Sequence, residues 1–100
     1  MKDTKQILTE ALAHLEADGW AQGQYEGPGG CLCSVGAVLK VIHGDPRRDA
    51  NTDSFETAEA ALRAGAGIQT PVWLYNDHPE RTFEEIRQMF TNAIELVSAE

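Results

Sequence analysis

The chain has 100 residues, 42% of them hydrophobic and 24% charged, with a formal net charge of -8. That length fits one domain and leaves no room for a second, and the apolar share is enough for one modest core, which excludes wholesale disorder. No run of about 18 apolar residues is present, so no membrane span is predicted, and the excess of acids opposes a phosphate-binding face, so nucleic acid is not an expected partner.

Asp3, Glu10, Glu16 and Asp18 interrupt the first helix-sized segment. A secretory signal needs a basic start and an unbroken apolar stretch, so the cytoplasm is the expected location. Cys31 and Cys33 sit one residue apart. A disulfide between them closes a strained ring, and reduced thiols fit that compartment.

Taken in chain order, residues 4–18 form an amphipathic helix, with Ile7, Leu8, Ala11, Leu12 and Leu15 at helical spacing. Asp3 and Gln6 make a variant of the capping box, and Gly19 is the predicted stop. Trp20 is expected to fold back on the core. Residues 21–30, rich in glycine, are a loop. Residues 31–43 are apolar nearly all round, with Lys40 the only formal charge, so they are predicted to form the central helix. Gly36 within it is a packing notch. Residues 44–53 are a polar loop. Residues 54–65 form a third helix capped by Asp53 or Ser54, with Phe55, Ala58 and Leu62 facing inward, an outward Glu59–Arg63 pair, and Gly65 and Gly67 ending it. Two prolines bracket residues 71–79, which read as a short helical turn or packed irregular segment. Residues 82–98 are the clearest helix, opened by a Thr82/Glu85 capping box.

The fold class is therefore all-α: a single domain over residues 1–100, with about four helices around one apolar helix. Leu8, Leu12, Leu15, Val35, Leu39, Leu62, Ile86, Phe90 and Ile94 are the expected core.

Several residues bear on chemistry. Cys31 and Cys33, with His43 and His78, are weak candidates for soft metal ligands, but no second tight pair completes a familiar zinc spacing. A thiol at a helix N-terminus has a lowered pKa, so a cysteine nucleophile served by His78 is a sharper alternative, though no signature for one is present. Gly27-Pro28-Gly29-Gly30-Cys31 lacks the Lys and Ser or Thr of a phosphate loop. Asp49 to Asp53 imitates the opening of a calcium loop, but Ser54 and Ala60 stand where Gly and Glu are required. Neither metal nor cofactor is expected. Asn76-Asp77-His78-Pro79 is a turn leading into the last helix, with Asp77 expected to pair with Arg81. The candidate binding surface is this turn with its aromatic neighbours: Trp73, Tyr75, Asn76, Asp77 and Arg81.

The pattern resembles a family of small uncharacterised proteins from actinobacteria and their bacteriophages. The resemblance is carried by Asp18-Gly19-Trp20, Cys33-Ser34-Val35-Gly36-Ala37, Ala61-Leu62, Tyr75-Asn76-Asp77, Arg81-Thr82 and Ala93-Ile94. Tyr75 stands where the family pattern has Trp. The resemblance implies a lineage, with a phage-encoded origin as one expectation, and no activity.

The expected function is a small, acidic, non-catalytic protein-interaction domain. Its expected partner is another protein, such as a host protein, or a second copy of itself. The alternative is a metal-binding or cysteine-dependent protein built on Cys31, Cys33 and His78. Acidic mimicry of nucleic acid is a weaker reading, because Arg47, Arg48, Arg63, Arg81 and Arg87 intersperse the acids.

Overall fold

The computed structural model describes residues 2–46 and 52–98. Arg47, Arg48 and positions 49–51 of the calcium-loop imitation lie outside the described residues. Among the described residues five α-helices follow one another: α1 Thr4–Asp18, α2 Ser34–His43, α3 Asp53–Ala66, α4 Val72–Asp77 and α5 Phe83–Ser98. A single 3-10 turn at Pro28–Gly30 lies in the loop before α2. No described helix is long and apolar enough to cross a membrane.

Local chemistry sets most of the boundaries. The Asp3 carboxylate accepts from the Gln6 amide at 2.8 Å and starts α1. At α5 the capping box is reciprocal: Glu85 N donates to Thr82 Oγ1 at 3.3 Å and Thr82 N donates to Glu85 Oε1 at 3.0 Å. At α3 the cap is Thr52, whose hydroxyl accepts from Phe55 N at 3.2 Å, and not Asp53 or Ser54. The helix starts one residue earlier than predicted, which puts Asp53 and Glu56 in its first turn, where carboxylates favour the helix dipole. It stops at Gly67, with Gly65 inside it. Glu59 does not make the expected bridge to Arg63; its Oε2 accepts the Val72 amide at 3.4 Å and so meets the first turn of α4.

The start of α2 needs a larger correction. Cys31 to Cys33 are extended, and the helix begins at Ser34 with Cys33 as its cap. Leu32 pairs with Trp20 and Glu26 through isolated backbone bridges, with the Ala21 and Leu32 amides donating to Leu32 and Gly19 carbonyls at 2.8 Å. Apolarity is the same for a buried helical residue and a buried extended one, so composition alone did not separate them.

The buried side chains form one cluster contributed by every helix. α5 packs chiefly on α3 and then on α1; α2 packs on α1, α3 and α4. Seven of the ten residues of α2 are buried, so it is the apolar helix the sequence describes. Leu8, Leu15, Val35, Leu39, Leu62, Ile86 and Phe90 are buried as expected, while Leu12 and Ile94 pack against the cluster from its margin. Two close approaches fix the packing. A Cβ on Gly36 would lie 2.1 Å from the Tyr25 carbonyl oxygen, and a Cβ on Gly65 would lie 2.6 Å from the Met89 carbonyl oxygen. The first lets the 21–33 loop lie on α2; the second lets α3 cross α5.

Candidate functional site

The described residues of greatest interest gather where α4, the start of α2 and the 20–33 loop meet. Asn76 is at the centre, wholly buried. Its Oδ1 accepts from Trp20 Nε1 at 2.7 Å, Ser34 N at 3.0 Å and Ser34 Oγ at 2.7 Å. Its Nδ2 donates to the Ala21 carbonyl at 3.0 Å and to Asp77 Oδ1 at 2.9 Å. A buried amide is costly unless all its polar atoms are paired, and here both ends are paired. One side chain thus ties together segments 42 to 56 residues apart in sequence.

Its neighbours extend the network. Asp77 Oδ1 also accepts from the Gly23 amide at 2.9 Å, and Gln22 Nε2 donates to the carbonyls of Asn76 and His78 at 3.0 and 2.8 Å. Trp20 is half-buried and stacks on Phe83, with ring centroids 6.3 Å apart. Arg81 does not pair with Asp77 as expected. Its Nε donates to the Tyr75 carbonyl at 2.8 Å, its Nη1 meets Glu85 Oε2 at 2.8 Å, and its guanidinium lies over the Tyr75 ring at 3.6 Å. Arg81 therefore fastens α4 to the first turn of α5, while Asp77 faces the opposite neighbour, the loop.

The five residues of the predicted surface separate accordingly. Asn76 is interior and supports the surface from beneath. Tyr75 is half-buried under Arg81. Trp73 is 49% exposed. Trp73 and Asp77 line an open cleft of about 290 Å³ together with Gly23, Gln24, Tyr25 and Cys33. Tyr25, 43% exposed, and Leu74, beside Trp73 on α4, are surface groups that sequence reasoning missed. A tyrosine in a glycine-rich stretch carries no periodic signal, although an aromatic there was itself a cue.

The cysteines take distinct places. Cys33 caps α2, its sulfur accepting from the Gly36 amide at 3.2 Å. Burial pushes its thiol above the ordinary pKa; the Gly36 hydrogen bond opposes this only in part, and the Asp77 charge adds to it. A helix N-terminus lowers a thiol pKa when it acts on an exposed sulfur, but here desolvation is the larger effect. Cys31, half-buried, donates through Sγ to the Pro28 carbonyl at 3.1 Å. The His78 Nδ1 accepts from the Glu80 amide at 3.2 Å, beyond the end of α4. His43 is in the last turn of α2, at the opposite end from Cys33. Among the described residues no three His, Cys, Asp or Glu side chains gather into a group that holds a metal.

Residues 1–96 match the model of a family of unknown function (DUF6197), which is nearly the whole chain, so the chain belongs to that family. Comparison with curated proteins and with solved structures finds no match to either.

Proposed function

We propose that this member of a family of unknown function is a small, acidic, non-catalytic protein-interaction domain whose contact surface is the exposed aromatic rim made by Tyr25, Trp73 and Leu74. The observation that carries the reading is the placement of these groups. Among the described residues four large apolar side chains are exposed, Tyr25, Trp73, Leu74 and Leu96, and the two aromatic ones, Tyr25 and Trp73, border one cleft. Exposed aromatics on rigid support act as binding anchors, because little conformational entropy is lost when a partner covers them. The support is the Asn76 network, which fixes α4 and the loop against each other.

A cysteine-dependent function gains less support. The Cys33 thiol lies in the same cleft, but burial holds it in the protonated form, which is a poor nucleophile. An actinobacterial or phage origin, with a host protein as partner, belongs to the same proposal and decides where to look. Tagged protein in an actinobacterial lysate at moderate salt is expected to retain one dominant partner. A Trp73→Ala, Tyr25→Ala double variant that melts like the parent is expected to lose it. Equal recovery on both baits overturns the assignment of this surface, and recovery of no partner overturns the interaction reading.

A further inference from the structure

We propose that the cleft between Tyr25 and Trp73 is a subsite for an alkylammonium group. Two aromatic residues and one carboxylate, Asp77, line this open space of about 290 Å³. An aromatic face attracts a cation through its quadrupole, and a carboxylate adds the counter-charge. The protein already uses half of this chemistry on itself: Arg81 covers the Tyr75 ring, and Arg87 lies 5.0 Å from the centre of the Phe83 ring. Among the described residues no cation covers Tyr25 or Trp73, the two exposed rings at the cleft.

The carboxylate is held in place at the cleft. Asp77 Oδ1 takes both hydrogen bonds that the described residues give this side chain, from Gly23 N and Asn76 Nδ2. Those bonds fix its position and leave Oδ2 for a ligand. A net charge of -8 raises the local concentration of any cation near this surface. The same alkylammonium chemistry is supplied by a free quaternary amine or by a lysine side chain of a partner. The inference rests on the interaction reading only in treating this cleft as part of the contact surface.

The test is a titration of isotope-labelled protein with choline chloride, with the neutral carbon isostere of choline, and with N-acetyl-lysine methylamide, at constant ionic strength. The readouts are the Trp73 indole N–H, the Gly23 amide and, as internal reference, the Trp20 indole N–H held by Asn76. The cations are expected to shift the first two saturably with a Kd of about 1–10 mM, the range open to a shallow site with one or two aromatic contacts and one ion pair. The neutral isostere is expected to shift them much less. Asp77→Asn preserves an acceptor for the Gly23 amide and is expected to weaken cation binding about three- to fivefold. Trp73→Phe is expected to retain binding and Trp73→Ala to lose it.

An equal response to the neutral isostere, no saturable shift, or an Asp77→Asn variant that binds as well as the parent overturns the proposal. Tighter binding of choline than of the lysine amide supports it with a free amine as source; the reverse order supports it with a side chain as source. If no cation binds but a partner is captured through Trp73, the subsite is wrong and the interaction surface stands. If cations bind and no partner is captured, the subsite stands and the protein-interaction reading fails.

Discussion

Asn76 was legible as a turn residue, since Asn and Asp settle tight turns through their own side chains. In the structure it does a different job. Its oxygen accepts from one indole, one hydroxyl and the first amide of α2, while its nitrogen donates to a loop carbonyl. Removing it leaves buried donors and acceptors unpaired, each costing about 1–3 kcal/mol. We expect Asn76→Ala to lose about 2–4 kcal/mol and to lower Tm by roughly 10–20 °C in a thermal melt; a shift of a degree or two would show that water replaces the side chain at little cost. Cys33 gives a second prediction at this scale. Buried and protonated, it is expected to resist iodoacetamide in the native protein at neutral pH and to react once the chain is unfolded, with mass spectrometry counting the adducts. Rapid native labelling of Cys33 would restore the thiol to the list of functional groups. Apart from Asp77, the partners of the Asn76 side chain lie 42 to 56 residues off in sequence, so periodicity carried no sign of them.

Elements were the most legible level, and the reason is locality. Asp3 and the Thr82/Glu85 box act within one turn of chain, so their residue types and spacing announce them. Where the cap is weak or distant the boundary moves. Cys33 offers only a sulfur acceptor, and α2 takes its first amide bond from another helix. The capping box also has a pH signature. Hydrogen bonding from Thr82 N, with help from Arg81, holds the Glu85 carboxyl below the ordinary glutamate pKa. A lowered folded value means that this contribution is present above the unfolded pKa and is lost as pH falls through the folded one. Acid melts followed by circular dichroism should therefore show a stability loss below the ordinary glutamate range that is smaller in Glu85→Gln, which can still cap but does not titrate there. Identical acid profiles would remove Glu85 from the account.

For the whole molecule, composition gave the class and the patterning gave the inner faces. Neither gave the packing order, because amphipathic stripes admit several arrangements. The close crossing of α3 on α5 is one determinant that no stripe records. By helix propensity alone Gly65→Ala should stabilise α3 by about 1 kcal/mol. A methyl group there meets the backbone of Met89 and Ala93, which cannot swing aside as a flexible side chain would. Packing wins, and we expect the variant to be about 1–3 kcal/mol less stable by urea titration; an increase in stability would mean that the helices part without loss. The candidate site was half legible for the same reason. Trp73 and Asp77 lie in one short segment, whereas Tyr25 reaches the cleft only because the loop folds across α2 at Gly36.

The dependence of α2 on Asn76 also orders events in time. The Ser34 amide at the head of α2 has no partner within its own segment; it waits for a side chain 42 residues further along the chain. The first turn of α2 closes locally, through the Ala37 amide on the Cys33 carbonyl at 2.9 Å and the Gly36 amide on the Cys33 sulfur at 3.2 Å, so only the Ser34 amide and hydroxyl wait for α4 to dock. Interactions absent from the transition state govern the rate of unfolding and leave the rate of folding nearly unchanged. Loss of the Asn76 contacts should therefore shorten the lifetime of the native state while the chain still reaches it at close to its usual speed. We expect this lock to close late in folding and to open early in unfolding; an Asn76→Ala variant whose folding rate falls as far as its stability, in stopped-flow measurements, would overturn that order.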